Sequence, residues 1–269
     1  MSTSVTDTDP ICLVQLTDSH LYAGADQALL GMDTYASLQA VIDQVLVEQP
    51  RIDHVLATGD ITQDGSLGAY ERFIEAFRRL PVPCSWIAGN HDDAELMAEL
   101  GRTHGLNQTC LDLGNWRIVM LDSSIPGAVP GHLADTQLAL LEQALSEAGE
   151  RHVMVCLHHH PVPIGCDWME PIGLLNPEPF WQLVDACAQV RAVLWGHVHQ
   201  SFDQQRGGVR LLATPSTCVQ FAVASQDFAT DTLAPGYRWL RLYPDGRIET
   251  AVERLAPGRF LPDPGATGY

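Results

Sequence analysis

A layered α/β fold, with sheets packed inside flanking helices, is what the sequence predicts, on three observations. Strand-like and helix-like segments alternate along most of the 269 residues. The last part of the chain turns strand-rich. Five short polar motifs stand at the ends of apolar runs: Asp18-Ser19-His20, Gly59-Asp60, Gly89-Asn90-His91-Asp92, Val155-Cys156-Leu157-His158 and Gly196-His197-Val198-His199. Open α/β sheets bind ligands at the carboxyl ends of their strands, so all five motifs would lie there.

The elements follow in order. Ile11 to Thr17 reads as a strand, and Thr34 to Gln49 as a helix burying Leu38, Val41, Ile42, Val45 and Leu46. His54 to Thr58 is the next strand. A helix with Tyr70, Phe73, Ile74 and Phe77 inside is stopped by Pro81, and Cys84 to Ala88 is the third strand. Trp116 to Leu121 is again strand-like, and Asp135 is placed to cap a helix carrying Leu138, Leu141, Ala144 and Leu145. Val153 to Leu157 and Ala192 to Trp195 are strands on either side of a helix from Pro177 to Gln189, with Pro179 in its tolerant first turn. Three two-periodic stretches close the chain: Val209 to Ala213, Arg238 to Tyr243 and Arg247 to Glu253, the last two joined by a Pro-Asp-Gly turn. No linker or low-complexity segment divides the chain. Residues 1–10 are expected to form a flexible N-terminus, and residues 11–269 a single domain.

Composition narrows the function. Hydrophobic residues make up 46% of the chain, enough for a substantial core. No apolar stretch is long enough for a membrane span, and the polar N-terminus lacks the features of a secretion signal. Seven scattered cysteines without a C-x-x-C pair suit a reducing cytoplasm. A formal net charge of -18 disfavours nucleic acid as a partner, although a small, singly charged substrate suffers less. All fifteen basic residues are Arg, which excludes chemistry that needs a P-loop or Schiff-base lysine. Without a Gly-x-Ser-x-Gly elbow, a serine hydrolase has no support either. Composition leaves the oligomeric state, monomer or homodimer, open.

Two Asp, one Asn and four His in the motifs suffice to hold two metal ions, with His91 left over. Imidazole and carboxylate donors suit Fe, Mn, Zn or Co, whereas Ca and Mg favour oxygen. A carboxylate can bridge two ions, and a metal pair can activate water and clamp a phosphoryl group. Each motif alone is weak; their order, each at a strand end, is the signal.

This ordered set resembles the calcineurin-like metallophosphoesterases, over nearly the whole chain. The resemblance is closest to the bacterial class III 3′,5′-cyclic AMP phosphodiesterases. It runs through Leu157-His158-His159-His160-Pro161, Ala213 to Phe221, Asp231 to Gly236 and the C-terminal Gly268-Tyr269. It implies two packed β-sheets flanked by helices and a binuclear centre of iron, manganese or both. Asp18, His20 and His199 would hold one metal, and Asn90, His158 and His197 the other, with Asp60 bridging. His91 would protonate the leaving sugar oxygen, with Asp92 orienting it. His20, Asp60, Asn90, His91 and His199 would face a cyclic nucleotide, and 5′-AMP would be the product. The alternatives on the same metal site are a broader phosphoesterase, acting on 2′,3′-cyclic nucleotides or other phosphate esters, and a non-catalytic scaffold.

Several residues have two readings. His159 and His160 either reach the substrate or pack. Thr214 to Phe221 is either a nucleotide-contacting loop or a structural turn, and Cys166 to Pro179 is a candidate pocket rim. His54, His104, His132 and His152 are expected at the surface or at helix caps. Trp86, Trp116, Trp181 and Trp239 are expected in the core.

Overall fold

The computed structural model describes residues 9–265. Most of the N-terminal segment expected to be flexible, and the Gly268-Tyr269 end, lie outside the described residues. Two sheets carry the fold. The first has the order β13-β12-β1-β2-β3, from β1 (Ile11–Leu16), β2 (His54–Ala57), β3 (Cys84–Trp86), β12 (Gly236–Leu242) and β13 (Ile248–Arg254). The second has the order β4-β5-β6-β7-β9-β8, from β4 (Cys110–Leu113), β5 (Trp116–Met120), β6 (His152–Cys156), β7 (Val190–Trp195), β8 (Phe202–Arg206) and β9 (Val209–Ala213). In each sheet the strands that precede the motifs run parallel, and the antiparallel additions lie outside them. A small ribbon pairs β10 (Gln220–Phe221) with β11 (Thr230–Asp231).

The two-residue period of the strands builds four layers. Leu13, Leu56, Ile118, Met120, Met154, Cys156, Ala192 and Leu194 fill the space between the sheets. Their neighbours Val14, Val55 and Ala57 face outward, under α1 (Thr34–Glu48), α2 (Leu67–Phe77) and α3 (Ala94–His104). On the other side Val119, Val153, Val155, Val193 and Trp195 lie under α4 (Asp135–Ser146) and α5 (Pro177–Ala186). Strands buried on both faces read as continuous apolar runs, which is why they stand out in the sequence.

The differences from the sequence reading have simple causes. The unexpected α3 fully buries only Met97 and Gly101, with Leu96 and Leu100 half-buried against the core, a stripe too short to stand out. The edge strands β4 and β8 are largely exposed and lack an apolar run. Leu46 is 40% exposed, outside the buried face of α1. Asp135 is the first residue of α4 rather than its cap, which is Ala134. His54, expected at the surface, is buried on β2 against the Ser85 hydroxyl. Trp86, Trp116 and Trp181 are core residues, whereas Trp239 is half-buried.

Candidate metal centre

The carboxyl ends of both sheets open onto one buried cluster. Asp18 and His20 follow β1, Asp60 follows β2, and Asn90 and His91 follow β3, all from the first sheet. His158 follows β6 and His197 and His199 follow β7, from the second. His158 Nε2 stands 3.2 Å from Asp60 Oδ2 and 3.2 Å from Asn90 Oδ1. His199 Nε2 stands 3.1 Å from His20 Nε2 and 3.5 Å from Asp18 Oδ1. His20 Nε2 is 3.7 Å from Asp60 Oδ2, and the rings of His158 and His197 are 5.1 Å apart. Donors bound to one cation at about 2.0–2.2 Å stand roughly 3–3.5 Å from each other. The spacing matches that of two ligand shells sharing Asp60.

The hydrogen bonds on the far side of each ring strengthen this reading. His158 Nδ1 lies 2.8 Å from the Thr58 carbonyl and His199 Nδ1 lies 2.7 Å from the Val219 carbonyl. A carbonyl only accepts, so both Nδ1 atoms donate and each Nε2 is the ring atom turned to the site. His20 Nδ1 donates likewise to Gln63 Oε1 at 2.7 Å. His158 Nε2, Asp60 Oδ2 and Asn90 Oδ1 therefore converge, a donor set that a cation would hold together. Among the described residues His197 Nε2 is buried with no hydrogen-bond partner and Asp60 Oδ2 has the charged His158 ring at 3.2 Å, and a bound metal would satisfy both.

Electrostatics agree. Burial pushes the His20 and His197 imidazoles well below their ordinary range, keeping them neutral as ligation requires. Burial would also lower His158, but the Asp60 carboxylate overrides it and holds the ring at about 9 in the metal-free protein. A proton there sits where the fold would place a metal.

The backbone is bent to serve these side chains. Asp18, His20, Asp60, His197 and His199 are all left-handed, with φ of 54°, 45°, 46°, 67° and 50°. Non-glycine residues rarely adopt this region, and such strain concentrates at functional sites. Two motif glycines are fixed by space. A Cβ on Gly59, itself at φ +99°, would lie 2.3 Å from His158 Nδ1. A Cβ on Gly89 would lie 2.2 Å from Asp60 Oδ1 and 2.4 Å from the Asp60 amide nitrogen.

A model of the calcineurin-like phosphoesterase family matches residues 13–201. The chain belongs to that family. This calcineurin-like phosphoesterase is 55% identical over 268 residues to the 3′,5′-cyclic adenosine monophosphate phosphodiesterase CpdA of Pseudomonas aeruginosa, covering 100% of this chain and 98% of the relative. It is 42% identical over 259 residues to the enzyme of the same name from Escherichia coli K12, covering 96% of this chain and 94% of the relative. Among solved structures it is similar in fold to a dimetal phosphatase from Danio rerio, with a TM-score of 0.65 at 17% identity, covering 92% of this chain and all of the other.

The calcineurin-like site brings together all seven expected ligands and His91, and separates the neighbours whose roles were open. Both ring nitrogens of His159 are engaged, Nδ1 with the Ser123 hydroxyl at 2.8 Å and Nε2 with the Val129 carbonyl at 3.0 Å, so it packs and supports. His160 is buried behind His197, its ring nearly parallel at 5.8 Å. Thr214 to Phe221 is buried throughout. Its Ser216 hydroxyl donates to the Asp18 carbonyl at 2.7 Å, and its Val219 carbonyl orients His199. It is a turn that holds ligands. Within Cys166 to Pro179, Glu170, Gly173, Leu174 and Pro177 line a pocket beside His160.

Asp92 and His91 divide differently from the sequence reading. Asp92 accepts from the Gly89, Ile61 and Thr62 amides and from the Thr62 and Tyr70 hydroxyls. Burial and the nearby Asp60 charge raise its carboxyl to about 6. It ties the Gly59-Asp60 turn to the Gly89-Asn90 turn, while the His91 ring meets the Gln63 carbonyl, 3.2 Å from Nδ1. Gln63 was not singled out in the sequence. The only signal for it is chemical: a metal-binding imidazole needs a partner on its other nitrogen. Beyond His91 and Asn90 opens a cleft of about 490 Å³, bordered by Asp64, Asp93, Glu95 and Ser124.

Proposed function

We propose that this protein hydrolyses 3′,5′-cyclic AMP to 5′-AMP and so lowers the cellular level of that messenger. The observation that carries the reading is the 55% identity, over the full length, to a relative named for this activity. The convergence of the ligand set agrees with it. Asp18, His20 and His199 would hold one cation and Asn90, His158 and His197 a second, with Asp60 contributing to both. The donors, four imidazoles with two carboxylates and an amide, suit iron or manganese. Bound there, the cations would supply Lewis-acid stabilisation of the phosphoryl oxygens and activate the attacking water.

The chain's own residues do the rest. His91, at the mouth of the cleft, carries the proton to the departing O3′. Its Nδ1 lies 3.2 Å from the Gln63 carbonyl and its amide is anchored on Asp60 Oδ1, which fixes where the ring stands beside the cleft. Asp92 acts by holding the two turns that carry Asp60 and Asn90. The cleft next to His91 is roomy enough for a nucleoside. Seven free cysteines suit the cytoplasm. No helix among the described residues is long and apolar enough to cross a membrane.

The test is a comparison of rates. Manganese- or iron-loaded protein is given 3′,5′-cAMP, 3′,5′-cGMP, 2′,3′-cAMP and an aryl phosphodiester. Preference for 3′,5′-cAMP supports the reading. Preference for 2′,3′-cAMP or the aryl ester replaces it with a broader phosphodiesterase.

A further inference from the structure

Each half of the metal centre draws ligands from both sheets: Asp18 and His20 meet His199, and Asn90 meets His158 and His197. The ligand separations across the centre therefore depend on how one sheet sits on the other. The apolar layer between the sheets is non-directional and sets their spacing better than their lateral register. Near the carboxyl ends, that layer gives way to polar residues. Gln15 and Thr214 are fully buried and Arg238 is 2% exposed.

These three side chains join the sheets. Gln15 and Arg238 are opposite each other on β1 and β12. Gln15 Nε2 donates to the Thr58 hydroxyl at 2.7 Å and to the Trp195 carbonyl at 3.1 Å. The Thr214 hydroxyl donates to Gln15 Oε1 and accepts from Arg238 Nε. Arg238 also donates to the Ala213 carbonyl at 2.8 Å, the Phe202 carbonyl at 3.2 Å and the Thr250 hydroxyl at 3.2 Å. Among the described residues no carboxylate hydrogen-bonds this guanidinium; its partners are neutral oxygens, and Asp203 acts on it only through space. That is a costly arrangement unless every donor is satisfied, and its value lies in direction. The network grips the backbone just before the ligands: Gln15 precedes Asp18, Thr58 precedes Asp60 and Trp195 precedes His197. Thr58 also supplies the carbonyl that orients His158.

We propose that Gln15, Thr214 and Arg238 are positioning residues for the metal centre, fixing the register of the two sheets where their ligands meet. The proposal rests on the binuclear reading of the site.

The test is manganese titration of metal-free protein, followed by calorimetry and electron paramagnetic resonance, in the wild type, Thr214→Val and Thr214→Ser. The wild type should bind two ions with an exchange-coupled signal. Thr214→Val keeps the volume and removes the hydroxyl; it should weaken the second ion roughly 10- to 100-fold and alter the coupled signal. Thr214→Ser should restore both. If Thr214→Val does not fold, Thr250→Val, which takes one acceptor from Arg238, carries the same comparison with a smaller shift. Wild-type affinity and signal in the folded valine variant would overturn the positioning role and leave the binuclear reading intact. A wild type that binds fewer than two ions would remove that reading itself.

Discussion

The amide of His91 donates to Asp60 Oδ1 at 2.9 Å, so the proposed acid is hung from the carboxylate that lies between the two candidate metal positions. The other oxygen of Asp60 is turned to His158 and His20. Ligand geometry and acid placement are thus one arrangement.

The role of His91 has a distinctive kinetic signature. His91→Ala should lower turnover of 3′,5′-cAMP by about 10²- to 10⁴-fold with metal content unchanged. An aryl phosphodiester has a leaving group that departs without a proton, so its loss should be much smaller. Parallel kcat measurements on the two substrates decide the matter. Equal losses would mean that His91 acts on something other than the leaving oxygen.

Gly89→Ala addresses the close approach of the two turns. Its new methyl would stand 2.4 Å from the Asp60 amide nitrogen, an atom of the backbone that cannot swing aside. The turn must shift and Asp60 with it. We expect a folded protein destabilised by about 1–3 kcal/mol, with metal affinity reduced at least about tenfold. Metal content after dialysis and a urea titration report both effects. Full metal retention would show that the turns yield without moving Asp60.

Metal removal should be visible in stability. Among the described residues buried His197 Nε2 has no hydrogen-bond partner, and His158 Nε2 and Asn90 Oδ1 crowd together beside Asp60 Oδ2. A cation at 100 times its Kd stabilises a fold by about 2.7 kcal/mol, which for a chain of this size raises Tm by roughly 5–10 °C. Thermal scans with chelator and with added manganese should differ by that much, and Asn90→Ala should narrow the gap. Identical melting curves in the wild type would count against the metal site.

The outcome for individual residues shows what a sequence can carry. The ligands were legible because each one ends a strand buried on both faces, and such strands are continuous apolar runs. Segment α3 was not, because Met97 and Gly101 alone are fully buried there, and β8 was not, because its side chains are largely exposed. Asp92 was read as a partner of its neighbour His91. It accepts from the amides of Ile61 and Thr62, thirty residues away, whose convergence exists only after folding. His159 has the same residue type as His158, and only the Ser123 and Val129 contacts distinguish a supporting ring from a ligand.

His54 links burial to acid sensitivity away from the metal centre. It is 2% exposed on β2, and burial holds its imidazole at about 4, below the ordinary value of about 6.5. Between those values the unfolded chain binds a proton that the folded chain refuses. The unfolded state therefore gains protons first, and stability falls as pH drops from 6.5 towards 4. His54→Gln removes this titration while keeping a polar group beside Ser85. Relative to the variant, the wild type should lose about 2–3 kcal/mol between pH 7.5 and pH 4.5. Urea unfolding of both proteins in chelator, so that metal release does not enter, measures the difference. A gap that stays constant across this range would mean that His54 accepts its proton inside the fold.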